Sequence, residues 1–588
     1  MTDDLLKNDP LQMNRLEQAM LWFFGGAFVF FLFNYGIRPI HDPDFWWHLK
    51  TGEFMVQNGG LLQSDPFNFT GDGVVSAIEA VILKGYWLWQ IIAYGLFSLF
   101  GFNGIFLLNF LTIGAMAAVV ILEMRRQGVE YPLAIFLLTI GFFFVSVTYA
   151  LERPHVVSFL FAAILLTLFS RVRDGGQFGW MLPLLMMVWA NMHGGFVVGD
   201  ILLLCFLVGA VMEYRQDLSR LRHIILWVGI GIGASLLNPN GALVFGELIN
   251  FSNSPIGEFQ STWVKFQQGN WLVIILWLLI ALYGVGIWCS RRLYWPELIV
   301  SLFLAYSSVS YIRNVGFFTV AMLPVIGGHF QEGARRRQFQ MLSYISVLLL
   351  TLCSTLFIWL SYTLWQGRQG VGPVKLIYPE AAITFLHDSG LQGRMFNDYT
   401  YGGYLLWRLS PQIKIFIDGR GLEQKVFSDY TQITAASTTW VDGRREYEGL
   451  LDRYAIDYVI QPIYDGNGRL QPLMKSLLDK PEWAPIYLDA TVYILARLTP
   501  ANAESIRAYR IDNREFKTRL LLILNYIHQS NPQEIGYQIA RAGMLTYMAM
   551  YDEAKAQVEA IAAAAPTHPS LPVLERELAI LRAKRVRQ

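Results

Sequence analysis

Residues 85–100 read GYWLWQIIAYGLFSLF. The run is apolar enough to cross a bilayer and aromatic enough to lie along its surface, and the choice sets the orientation of every segment after it. Eleven other stretches have the roughly 17–25 mostly apolar residues that a helical span needs. They lie near 20–37, 103–124, 132–150, 155–171, 178–193, 196–214, 223–240, 269–289, 295–311, 313–329 and 341–364. The basic residues decide between the two readings. If 85–100 spans, Arg125 and Arg126 fall outside and every later basic loop is inverted. If it lies flat, the inner loops hold Lys7, Arg15, Arg125, Arg126, Arg171, Arg173, Arg215, Arg220, Arg222, Arg291, Arg292 and Arg335 to Arg337. The longer outer loops then hold Arg38, Lys50, Lys84, Arg153, Lys265 and Arg313. That is the positive-inside asymmetry, and the Trp and Tyr of 85–100 suit an interfacial helix. The expectation is therefore a polytopic α-helical membrane protein of eleven spans. Residues 1–19 form a cytoplasmic N-terminus, 20–364 a transmembrane domain with a large first external loop at 38–102, and the chain beyond 364 lies outside.

Composition agrees. Of 588 residues, 54% are hydrophobic and 15% charged, with a mean hydropathy of +0.37, which argues for membrane insertion. A net charge of +1 gives no electrostatic case for nucleic acid as a partner. Cys205, Cys289 and Cys353 all stand in apolar runs, so no disulfide framework or thiolate metal site is expected in the polar C-terminal third. The opening MTDDLLKNDPLQMNRLEQ lacks a signal peptide's basic start and cleavage site, so the first span is expected to be retained.

From about 375 the pattern changes. YPEAAITFLHDSG reads as a short helix closed by Gly390; RMFND, KIFID, DYVIQP, APIYLD and TVYILARL read as strands with helices between them. An α/β domain is expected over 375–498. The remainder, 499–588, reads as a helical, tetratricopeptide-like tail, on the pattern of Ala540, Gly543, Tyr551, Ala554 and Pro566. Stable arrays need about three repeats, so one pair suits a cap on the α/β domain or a docking surface for a protein partner.

The polar motifs of the membrane part fall on the expected outer face. HDPDFWWHLKTGE (41–53) sets Asp42 and Asp44 around a proline, with His41 and His48 close by. The two carboxylates could hold a divalent cation such as Mg or Mn, or one could act as general base toward an acceptor. The same residues also fit a helix start, with Asp42 as N-cap, Pro43 at the first helical position and Asp44 at the positive helix end. SDPFNFTGDG (64–73) and Glu79 follow, and Asp65 or Glu79 could face the same site, whereas Asp72 suits a solvated turn. Arg153 with His155 in LERPH, and Arg313 in YIRN, stand where spans meet the surface. A guanidinium there matches a phosphate oxyanion, or snorkels to lipid phosphates. His193 sits in the turn NMHGG, whose glycines serve the turn, with Asp200 one turn into the next span. In the α/β part, FNDYTYGGYLLW (396–407) and FIDGRG (416–421) follow strands, placing Asn397, Asp398, Asp418 and Arg420 where such sheets carry sites, or where ordinary strand-end turns form. No phosphate-binding glycine loop, zinc-ligand spacing or nucleophile elbow is present.

DPDFWWHLKTGE, DPFNFT, WANMHGGF, LNPNG, FNDYTYGGYLLW and FIDGR together resemble the C-type superfamily of membrane glycosyltransferases, nearest to its bacterial multi-span members of poorly defined activity. The likeness runs from about 20 to 498. It implies an acidic motif in the first external loop beside amphipathic helices on the membrane, here Asp42, Asp44 and 85–100. It further implies transfer of a sugar from a polyprenyl-phosphate-linked donor to an acceptor at the extracytoplasmic face, for cell-envelope glycan or glycoconjugate synthesis in a bacterial inner membrane. Asp44 or Asp42 would activate the acceptor or hold a metal, and Arg313 or Arg153, with His155, would bind the donor phosphate. His48, Glu79, His193, Asn397, Asp398, Asp418 and Arg420 would line the site. NDYTYGG (397–403) is similar in outline to the acceptor motif of the oligosaccharyltransferase catalytic subunit, but lacks its two tryptophans, so peptide-acceptor recognition does not carry over. Two further classes stand beside the transferase: a non-catalytic assembly or export factor using 499–588 to hold a partner, and a transporter, which no internal repeat or broken-helix pair favours.

Overall fold

The computed structural model describes residues 15–37, 39–71, 75–149, 152–176, 179–246, 261–336, 343–367, 373, 377–421, 423–441, 443–531 and 534–587. Most of the expected cytoplasmic N-terminus, Asp72, and residues 247–260 of the loop after NPNG lie outside the described residues. The chain folds into two compact units. One comprises Met1–Asp42, Thr51–Gln63 and Ser76–Gly372; the other comprises Pro43–Lys50, Ser64–Val75 and Pro373–Gln588. The second unit therefore takes in two pieces of the first loop that the sequence reading had left wholly with the membrane part.

The membrane unit is helical. Helices Arg15–Gly36, Phe102–Arg126, Tyr131–Thr148, His155–Arg173, Met181–Met192, Phe196–Glu213, Leu218–Ser235, Ile274–Ser290, Trp295–Ser310, Val315–Arg336 and Ser343–Gly367 fall on the eleven segments expected to span. By length and composition, four stretches among the described residues can cross a membrane: Ala77–Phe100, Phe102–Arg126, His155–Arg173 and Phe196–Glu213. The first is built of two helices, Ala77–Lys84 and Trp87–Phe100, separated at Gly85–Tyr86. Its second half is the segment that the charge pattern laid on the surface. Gly101 (φ 58°) reverses the chain into the next helix, and a methyl at Gly104 would stand 2.1 Å from the Leu96 carbonyl oxygen, so the two helices cross at backbone contact.

Aromatic rings fill the interior of this unit. Phe31 lies 4.8 Å from Phe357 and stacks on Tyr35 at 5.7 Å, while Phe28 meets Phe142 edge-on. Leu111, Leu122, Leu204 and Val208, on the helices Phe102–Arg126 and Phe196–Glu213, are exposed, as lipid-facing side chains are. Arg125, Arg126, Arg171 and Arg173 end their helices, where guanidiniums suit the negative helix end.

The second unit holds a four-stranded sheet of order β1-β4-β6-β5. β1 (Arg394–Asn397) runs parallel to β4 (Ile456–Pro462), while β6 (Val492–Arg497) is antiparallel to both β4 and β5 (Trp483–Leu488). The short pair β2 (Trp440–Val441) and β3 (Arg444–Arg445) stands apart. Helices alternate with the strands, and the sheet has one parallel pair and two antiparallel ones. KIFID, expected as a strand, joins no sheet. The Asn397 side chain takes the place of a neighbouring strand for it, its Oδ1 accepting from the Phe416 amide (2.7 Å) and its Nδ2 donating to the Ile417 carbonyl (2.7 Å). On its other side the segment pairs with the first loop, through the Phe69 amide on the Ile415 carbonyl and the Ile415 amide on the Phe67 carbonyl.

The helices Asn513–Ser530 and Ile535–Tyr547 place Phe516, Leu520, Leu524, Ala540 and Met544 in the same core as Phe396, Val459 and Leu495. The tail is thus built into the α/β unit. The contact is closest at Gly468, whose φ is +77° and where an added methyl would stand 2.6 Å from the Gly536 carbonyl oxygen. Gly468→Ala is expected to cost about 2–4 kcal/mol from left-handed strain and overpacking together. Faster hydrogen exchange over residues 535–547 would register it; unchanged exchange would show that the tail packs elsewhere.

Candidate functional site

The turns of the membrane unit expected on one face do meet at one end of its helices. The Asp42 carboxylate, just ahead of the helix Asp44–Asn58, accepts from Arg153 Nε at 2.5 Å, joining HDPD to LERPH. Asp42 is 8% exposed, so the pair sits in partial shelter, where an ionic hydrogen bond holds both geometry and charge. Two residues on, His155 begins the helix His155–Arg173; its ring centroid is 5.4 Å from that of Tyr149 and 6.5 Å from that of His193.

Tyr149, which sequence reasoning passed over, is the hinge-pin of this end. Its hydroxyl donates to the Ile312 carbonyl (3.0 Å) and accepts from the Gly316 amide (2.8 Å), so it clamps the turn Ile312–Asn314 that carries Arg313. Asn314 ties the same turn to Ser307 and Ser308. The only hint in the sequence was a tyrosine two residues before the polar break at LERPH.

His193 is buried, and its Nδ1 accepts from the Gly195 amide (2.9 Å) while Ser158 Oγ lies 2.8 Å away. Because Nδ1 is an acceptor, the neutral ring carries its proton on Nε2. Trp189 Nε1 in turn donates to Ser158 Oγ at 2.8 Å. Arg313 lies close enough for its charge to act on the imidazole. Further along, Trp87 Nε1 donates to Asn191 Oδ1 (2.8 Å) and Asn240 Nδ2 to the Val81 carbonyl (3.2 Å). The helices Ala77–Lys84 and Trp87–Phe100 are thereby pinned to the NMHGG and NPNG turns. Glu79 has a local role at the start of the first of these. With Ser76 it forms an S-x-x-E cap, Ser76 Oγ accepting from the Glu79 amide at 3.2 Å.

This end therefore combines a carboxylate held by a guanidinium with a second guanidinium and an imidazole N–H. The set suits an oxyanion beside a group that accepts a proton. One Asp42 oxygen is bound by Arg153, and no group of three or more His, Cys, Asp or Glu able to hold an ion occurs among the described residues.

The remaining expected site residues belong to the second unit. Asp44 stands in the first turn of its helix with its carboxylate against Gly419, where an added methyl would lie 1.9 Å from Oδ1. Trp46 packs edge-on to Tyr404 (4.8 Å) and Tyr378 (5.4 Å), and His48 stacks on Trp47 at 3.5 Å. DPDFWW is thus interlocked with YGGYLLW and DGRG. Arg420 and Asp418 are internal struts rather than lining. The Arg420 guanidinium, 1% exposed, binds both Asp65 oxygens (3.0 and 3.1 Å) and both Asp418 oxygens (2.8 and 2.6 Å), and adds Asn68 Oδ1 at 3.2 Å. Burial alone would pull its pKa down, but the two carboxylates hold it above the ordinary arginine value. Asn397 is consumed by the backbone of 416–417. Asp398 accepts from the Thr400 amide (2.9 Å) and Tyr430 hydroxyl (2.8 Å); burial pushes the Tyr430 phenol well up, and Asp398 adds to it.

No protein-family model matches the chain, and no curated protein sequence matches it. Among solved structures it is similar to the oligosaccharyltransferase of Archaeoglobus fulgidus in the apo form, at 12% identity and a TM-score of 0.45 over 75% of this chain and 70% of that one. The same enzyme in complex with zinc and sulfate aligns at 11% identity and a TM-score of 0.48 over 90% and 85%. ArnT from Cupriavidus metallidurans bound to undecaprenyl phosphate aligns at 13% identity and a TM-score of 0.46 over 82% and 98%.

Proposed function

We propose that this protein is a membrane glycosyltransferase that moves a sugar from a polyprenyl-phosphate donor to an acceptor at the non-cytoplasmic face of a bacterial inner membrane. The observation that carries the proposal is the meeting of Asp42–Arg153, His155, His193 and Arg313 at one end of an apolar helical unit. The acceptor hydroxyl or amine attacks the anomeric carbon from the face opposite the phosphate. The bond from that carbon to the phosphate oxygen breaks with its electron pair, and the acceptor's proton passes to Asp42. Arg153 keeps Asp42 oriented. Arg313 and the His193 Nε2–H stabilise the charge that grows on the departing polyprenyl phosphate, where fixed donors in a sheltered site act most strongly. The polyprenyl chain lies along the apolar flanks of the helices.

The test is native mass spectrometry of the detergent-purified protein. Wild type is expected to retain polyprenyl phosphate or its sugar conjugate, and Arg313→Ala to lose it by at least tenfold, the size of one charge-assisted contact of about 1.5–3 kcal/mol. Bulk phospholipid alone, unchanged by the substitution, would remove the donor site and favour the assembly-factor reading.

A further inference from the structure

The opposite end of the membrane unit holds a second polar site. His155 and Arg173 begin and end the same 19-residue helix, which sets the two ends about 27 Å apart at 1.5 Å per residue. Around Arg173 opens a cavity of about 220 Å³ whose lining carries four guanidiniums, Arg126, Arg173, Arg292 and Arg335, against three carboxylates. That volume matches about seven water molecules at roughly 30 Å³ each, room for a phosphate or pyrophosphate group.

The charges are not evenly matched. Asp174 is shared by Arg126 (2.6 Å) and Arg173 (2.9 Å). Glu297 lies between Arg173 (3.3 Å) and the buried His329 (Nε2 at 2.6 Å), whose Nδ1 is 2.8 Å from Ser290 Oγ. Asp174 and Glu297 are thus occupied by the inner arginines and the histidine, and the third carboxylate, Glu332, stands on the same helix as Arg335. Arg292 and Arg335 are exposed and have no ion-pair partner among the described residues. Arg335 is further held against the turn at Gly128, where an added methyl would meet its Nη2 at 2.4 Å. Asp174 and Glu297 are thus paired within the wall, while two guanidiniums, Arg292 from the turn after Ile274–Ser290 and Arg335 from Val315–Arg336, line the opening with no ion pair among the described residues. A recess of about 30 Å³ leads further in between Phe169, Phe206 and Met322. It has the volume of one water and takes no acyl chain.

We propose that this cavity binds a phosphate-bearing anion between Arg292 and Arg335, at the end of the unit away from Asp42. The guanidinium fork matches phosphate oxygens, and basic pockets between membrane helices take anionic headgroups. The proposal does not depend on the sugar-transfer reading. The ligand is either the headgroup of an anionic lipid or a soluble phosphate compound, and one experiment separates the two.

Full-length protein is compared with the Arg292→Ala/Arg335→Ala double variant and with Arg222→Ala, a control whose exposed arginine does not line the cavity. Because neither substituted arginine is ion-paired, all three proteins are expected to melt alike; Arg292→Gln is held in reserve should the double variant not fold. Sodium pyrophosphate is titrated in detergent. Native mass spectrometry is run from nanodiscs of phosphatidylcholine with and without phosphatidylglycerol. Saturable pyrophosphate binding, weakened at least tenfold in the double variant alone, supports a soluble phosphate ligand. Phosphatidylglycerol retained by wild type and control but lost from the double variant supports a lipid headgroup. Equal behaviour of all three proteins in both arms overturns the site.

Discussion

Asp42→Asn is expected to lower sugar transfer by about 10²–10⁴, the usual worth of a positioned general base, while the protein remains folded and retains its lipid. Asparagine keeps the shape of aspartate and can still accept from Arg153, so the junction between HDPD and LERPH survives. What it loses is the capacity to take a proton and the charge that Arg153 orients. The expected pattern is therefore a fall in kcat with little change in KM for the donor, because the proposed mechanism gives the phosphate to Arg313 and His193 rather than to Asp42. Arg153→Lys should fall in the same direction by a smaller factor, since an ammonium keeps the charge but not the planar fork. Normal turnover in Asp42→Asn would reduce the ion pair to a clasp between two turns. The base would then have to be sought at Asp44.

Arg420→Ala is expected to cost about 3–5 kcal/mol, because it leaves Asp65 and Asp418 buried without their counter-charge. Asp65 and Asp418 have side-chain exposures of 9% and 1%, so water cannot replace the guanidinium. The damage should be local at first. Residues 64–71 should lose hydrogen-exchange protection before the sheet does, because Arg420 is what fastens Asp65 and Asn68 beside the 415–416 bridge. Asp65→Asn should cost less, since the remaining Asp418 still pairs with the guanidinium. A loss below about 1 kcal/mol for Arg420→Ala, the range of an exposed ion pair, would mean that the network is hydrated in solution.

Much of the fold was legible in the sequence, and the reasons can be stated residue by residue. Apolar runs of span length and arginines at their ends predicted the helices, because both follow from the local cost of polar groups in lipid. The strands RMFN and IDYVIQP were legible from their apolar runs. KIFID misled because it has the same pattern but draws its partners from the Asn397 side chain and from residues 67–69; nothing within five residues encodes that. The polar motifs stand out in the sequence, but their structural roles divide on long-range partners. Arg420 and Asp418 looked like site residues and are struts, because Arg420 pairs at once with Asp418 and with Asp65 355 positions away. Glu79, singled out as an acid that could face the site, stands in the first turn of a helix, its amide bound by Ser76. Conversely Tyr149 carries the geometry around Arg313 through backbone groups, which leave no signature at the partner positions.

The pairing of Ser64–Val75 with the C-terminal unit also sets an order of events at the ribosome. Asp65 is made 355 residues before the arginine that neutralises it, an interval of roughly 20–70 s at about 5–20 residues per second. For that time the stretch around DPFNFT must wait, hydrated and without its core, while the membrane helices that follow it are inserted. A C-terminal fragment starting near residue 373 would lack Asp65 and Asn68 altogether, and would carry Arg420 with only half its counter-charge. The C-terminal third is therefore continuous in appearance only; its folding is completed by a segment delivered at the start of synthesis.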